Sequence, residues 1–81
     1  MTYETKIFIR TILSKEAQSW ANLNSLRTGK INALHAEYVM GKISKEVHDR
    51  EVALLEETIA HGNEEYARAV NAIAEFEAVT A

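Results

Sequence analysis

The chain has 81 residues, neither cysteine nor proline, and 12 acidic against 9 basic side chains, for a net charge of −3. A chain this short makes one domain, residues 1–81, that buries a modest share of its surface, and no disulfide framework can staple it. No apolar run approaches the roughly 20 residues of a membrane span, and Met1-Thr2-Tyr3-Glu4 lacks the basic and apolar regions of a signal peptide, so a soluble cytoplasmic protein is expected.

Thr2 is placed to cap a first helix, with Glu4 in its first turn, where the helix dipole favours a carboxylate. The β-branched run from Thr5 to Leu13 also suits a strand, but the chain offers no second strand to pair with it, so helix is the reading. Wound at 100° per residue, residues 5–41 put Ile9, Ile12, Leu13, Ala17, Trp20, Leu23, Ile31, Leu34 and Tyr38 on one side. Phe8 and Leu26 lie at its edge, and Glu16, Asn24, Arg27 and Lys30 interrupt it. Gly29 is a weak point, because glycine inside a helix costs about 1 kcal/mol against alanine.

Met40-Gly41-Lys42-Ile43-Ser44 sets a helix stop beside a helix start. Gly41 can take the left-handed conformation that closes one helix, and Ser44 can cap the next, with Glu46 in its first turn. Beyond it, His48, Val52, Leu55, Ile59, Gly62, Tyr66, Ala69, Ile73 and Phe76 follow at alternating steps of four and three, a heptad seam that passes through Gly62 without a skip. Asn63 followed by Glu64-Glu65 also resembles a fresh helix start, so a break near Gly62 is the alternative.

The fold expected is all-α: a long antiparallel helical hairpin with helices at about 3–41 and 44–78, breaks near Gly29 and Gly62 being the points of doubt. Folding about Lys42-Ile43 sets Leu34 against Val52, Ile31 against Leu55, Trp20 near Gly62 and Tyr66, Ala17 against Ala69 and Leu13 against Ile73, large facing small. Phe8, Ile12, Leu23 and Leu26 then lie to one side of the first seam, and Val47 and Leu54 to one side of the second. A second copy would cover them in a homodimeric four-helix bundle. The competing arrangement is a monomer bent at a glycine into a compact bundle.

The run from Leu34 through Gly41-Lys42-Ile43-Ser44-Lys45-Glu46 to Leu54-Leu55 resembles the turn of SHOCT-type short helical-hairpin domains, in which a Gly-x-Ile-Ser/Thr-x-Glu segment joins two helices. That resemblance implies a hairpin turn and no function. The whole plan is also similar, by architecture alone, to small dimeric hairpin regulators that bind plasmid RNA.

No constellation for catalysis is visible. A nucleophilic cysteine, a strained serine elbow and a glycine-rich phosphate loop are all missing, and Ser44 is explained as a cap. Of the three histidines, His61 has Glu57 and Glu64 about one turn to either side, but no glutamate lies three residues before any histidine, as the di-metal bundle pattern requires. No metal or cofactor is therefore expected, and the chain reads as a non-enzyme. His48, on the seam near Tyr38, reads as a packing residue.

Arg27 falls on the apolar face one turn after Asn24. Either its stem packs while its head reaches water, or it joins a buried polar layer that fixes register and needs an acid such as Glu57. Charge is also segregated: six bases stand against three acids up to Ile43, and three against nine from Ser44 onward. Oppositely charged helices favour antiparallel docking. The stripe Glu46, Asp49, Glu56, Glu57, Glu64 and Glu65 is either a solvated face or a phosphate-like surface that would occupy the basic groove of a nucleic-acid-binding protein.

The function expected is a protein–protein interaction module, a self-associating hairpin acting as adaptor or inhibitor, of a kind seen in phages and mobile elements. Its interaction residues would be Phe8, Ile12, Leu23, Leu26 and Arg27, with the acids Glu46, Asp49, Glu56, Glu57 and Glu64. A nucleic-acid regulator using Lys6, Arg10 and Lys15 on the basic first helix is the alternative.

Overall fold

In a computed structural model describing residues 1–81, the protein is two helices and one turn: α1 (Tyr3–Val39) and α2 (Lys45–Thr80). Thr2 caps α1, its hydroxyl accepting a hydrogen bond from the Thr5 N–H at 3.2 Å, and Ser44 caps α2 in the same way through the Val47 N–H at 3.2 Å. Each cap satisfies one N–H that the first helical turn leaves without a partner.

Between the caps, α1 ends in a Schellman turn. Gly41 takes φ +74°, its N–H donates to the Tyr38 carbonyl at 3.0 Å, and the Lys42 N–H donates to the Glu37 carbonyl at 2.9 Å. Only a residue without Cβ enters that left-handed region at little cost. Because Gly41 and Ser44 lie outside the helices they terminate, the boundaries expected at 41 and 44 move to Val39 and Lys45, and α2 runs on to Thr80 rather than 78.

Neither helix breaks at its internal glycine. Gly29 is exposed, and nothing lies within 4 Å of where its side chain would begin. Gly29→Ala should therefore keep the fold and gain about 1 kcal/mol from helix propensity. On a domain of this size that is a rise of roughly 4–8 °C in melting temperature, readable by circular dichroism.

The arms lie side by side along their full length, in a body 59 × 16 × 11 Å. Its smallest dimension is about the diameter of a single helix, so the molecule is one layer deep. Cross-helix bonds fix the register: Lys6 Nζ donates to the Thr80 carbonyl at 2.7 Å, Arg10 Nε to Glu77 Oε1 at 2.6 Å, Asn24 Nδ2 to Asn63 Oδ1 at 3.0 Å and Arg27 Nη1 to the Thr58 carbonyl at 3.1 Å. In each pair the residue numbers add to about 85, the register the sequence implied.

One pairing differs. What fills the space at Gly62 is the amide of Asn24, not Trp20. Trp20 instead meets His61 edge-on, with ring centroids 5.9 Å apart. Polar groups therefore enter the middle of the seam: the Asn24 amide, bonded to the exposed Asn63, in one layer, and Arg27, bonded to the backbone carbonyl of Thr58, in the next.

Candidate interaction surface

Burial is scant. Only Ala17, Val52, Ala69 and Gly62 are buried, and no large side chain is fully removed from solvent. Yet 47% of the residues are hydrophobic. The accessible surface is 5943 Å², whereas a compact monomer of this mass exposes about 4,900 Å². The excess of about 1,000 Å² is what a second layer would cover.

Helical periodicity assigns this surface to two broad faces, one on either side of the seam. Two grooves confirm which residues of α1 and α2 share the first face. One is lined by Lys30, Leu34 and Glu37 with Glu51 and Leu55, the other by Glu16 with Glu65, Arg68 and Ala72. The same helical stripes carry Ile9, Ile12, Leu23 and Leu26 from α1, and Val47 and Leu54 from α2. Ile12, Leu26 and Leu54 are 50%, 66% and 53% exposed, while Ile9, Leu23 and Val47 are half-buried at the rim of the seam.

The opposite face is built differently. From α1 it carries Ser14, Ala21, Ser25 and Thr28, and from α2 alanines at 53, 60, 67 and 74 with Val70. Its side chains are small or polar, and Ile7, Val39 and Val70 are its large apolar exceptions.

Of the expected interaction residues, the structure brings Ile12, Leu23 and Leu26 together on the first face, beside Leu54. Phe8 points away from the seam and is exposed. Arg27 is not buried against Glu57: it is half-buried, its stem crosses the seam, and its guanidinium donates to a backbone carbonyl rather than a carboxylate. Glu46, Glu56, Glu57 and Glu64 are exposed and make no ion pair, whereas Asp49 accepts from His48 Nδ1 at 2.9 Å. At the open end, Lys6 and Arg10 are engaged by the last turn of α2, whose free carbonyls and Glu77 attract cations.

At the turn end His48 packs on Tyr38, as the sequence implies, and His35 joins them, which the sequence pattern does not anticipate. His35 Nδ1 and His48 Nε2 are 2.7 Å apart, and the Tyr38 ring lies against His48 with centroids at 4.9 Å. His35 sits one step off the seam, so apolar periodicity passes over it. The antiparallel register, which sets residue 35 near the height of residue 50, is the signal that pairs the two rings. No group of three or more histidine, aspartate or glutamate side chains is placed to hold a metal ion, and no helix is long and apolar enough to cross a membrane.

No protein-family model matches this chain, and no curated protein or solved structure matches it.

Proposed function

We propose that this protein is a non-enzymatic interaction module, a helical hairpin that self-associates into a four-helix bundle and acts as an adaptor or inhibitor by docking onto another macromolecule. The observation that carries this reading is the shortage of core: one layer of helix, no large side chain fully buried, and a broad apolar face beside the seam. A helix pair with its grease in water is stabilised most simply by a second pair laid over it.

The excess surface also fits in size, since a standard interface removes about 800 Å² from each partner. The nucleic-acid reading loses support, because Lys6 and Arg10 are already occupied within the hairpin. Light scattering after size exclusion tests self-association: twice 9.1 kDa is expected at micromolar concentration. A persistent 9.1 kDa particle with native helicity would refute it.

A further inference from the structure

The geometry points to a specific dimer: a second copy of this chain covers the face bearing Ile12, Leu23, Leu26 and Leu54, with both turns at the same end, so that each α1 lies over the partner's α2. This rests on the self-association proposed above and adds to it the face and the orientation.

The face follows from comparing the two sides of the seam. One offers the branched side chains Ile9, Ile12, Leu23, Leu26, Val47 and Leu54. The other offers serine, threonine and alanine along most of its length, so covering it removes far less apolar area from water. The charges at the rim of the first face are of mixed sign, Glu16, Lys30 and Glu37 from α1 and Glu51, Glu65 and Arg68 from α2, which suits contact between copies.

The orientation follows from charge and register. Two hairpins meeting face to face about a two-fold axis have two arrangements. With turns at opposite ends, like lies on like: the acidic α2 faces the partner's α2, and Lys30 of α1 falls at the height of the partner's Ile12. With turns at the same end, α1, which carries most of the basic residues, lies over the acidic α2 of the other copy. The intramolecular register then repeats across the interface. Lys30 shares a groove with Glu51 and Glu16 one with Arg68, so each stands at the height of an opposite charge in the other copy, while Glu37 and Glu65 bring like charges to the same two heights. Every neighbouring pair of helices is antiparallel in both arrangements, so charge and register decide between them.

Two measurements test this. Leu26→Asp and Val70→Asp place one charge on each face, at residues that are both exposed in the single hairpin. The expected result is loss of the dimer for Leu26→Asp, with the melting temperature falling alongside it, and an unchanged dimer and melting temperature for Val70→Asp. A dimeric wild type with any other pattern overturns the face. A wild type already monomeric overturns self-association, and this dimer with it.

For the orientation, the chain has no cysteine, so Lys42→Cys gives one spin-label site, at the turn. Pulsed electron resonance on the dimer should read about 20–25 Å or less, on the order of two helix diameters. A distance near the 59 Å length of the molecule overturns the same-end arrangement while leaving self-association intact.

Discussion

Val52→Asp should remove a large part of the stability of the fold. Val52 is the one branched side chain buried in the seam, at 9% exposure, and Ala17 and Ala69 are the other buried apolar residues. Replacing it loses about 1.5–3 kcal/mol of apolar burial. It also sets an unpaired carboxylate in the seam, beside Glu51 and near Asp49, for a total cost of about 3–5 kcal/mol. A domain of this length holds roughly 4–12 kcal/mol in all, so the loss runs from about a quarter of the stability to all of it. Val52→Ala should cost less, about 1–2 kcal/mol, since it removes apolar atoms without adding a charge. Urea melts of the two variants separate the terms. Equal small effects would mean that the seam is not closed at Val52.

Gly62→Leu should destabilise by about 1–3 kcal/mol, although leucine is much the better helix former. A Cβ at position 62 collides with Asn24 Oδ1, with Asn24 Cγ only 3.0 Å away. Room for it must come from turning the Asn24 amide out of the seam, which breaks its bond to Asn63. Asn24 Oδ1 is itself buried and accepts no hydrogen bond, so the layer already carries an unpaired polar atom beneath Gly62. In an Asn24→Ala background the obstruction is gone, and the same substitution should cost little or stabilise through helix propensity. Chemical melts of the four proteins form a double-mutant cycle that reads this coupling directly. A Gly62→Leu protein more stable than wild type would show that residues 24 and 62 are not opposed.

These two positions also show what the sequence could and could not carry. The hairpin was legible because its signals are local and redundant. Gly41 and Ser44 stop and start helices by backbone chemistry, and the α2 heptad holds its phase through Gly62. Gly62 could therefore be read as helical, but its partner could not. The apolar positions of α1 pointed to Trp20, since a search for grease passes over Asn24, although Asn24 stands in strict heptad step between Trp20 and Arg27. Counting every seam position, polar or not, finds the right neighbour. The shifts of two residues and one residue at the turn have a similar origin: capping residues lie outside the helices they cap.

The candidate surface was legible in part. Ile12, Leu23 and Leu26 are separable from the seam by angle, because 100° steps set them to one side of it, Leu23 nearest its rim. By the same steps Phe8, five whole turns before Leu26 and equally exposed, falls on the stripe of Leu26 at the outer edge of that face. Arg27 could not be assigned, since a guanidinium bonds equally well to a carboxylate or to a helix carbonyl, and only the register shows that Thr58 is in range. A single chain's pattern shows that a face is too apolar for water, whereas the occupant must be argued from area and charge.

The most direct test of a hairpin short of core is its melting temperature as a function of concentration. If folding and association are one event, a hundredfold increase in concentration adds about 2.7 kcal/mol of stability per dimer. That corresponds to a rise on the order of 5–10 °C in the circular-dichroism midpoint. A sharp melt whose midpoint stays fixed over that range would mean that two helices in one layer are stable unaided, and that the Leu26 face has no structural need of cover.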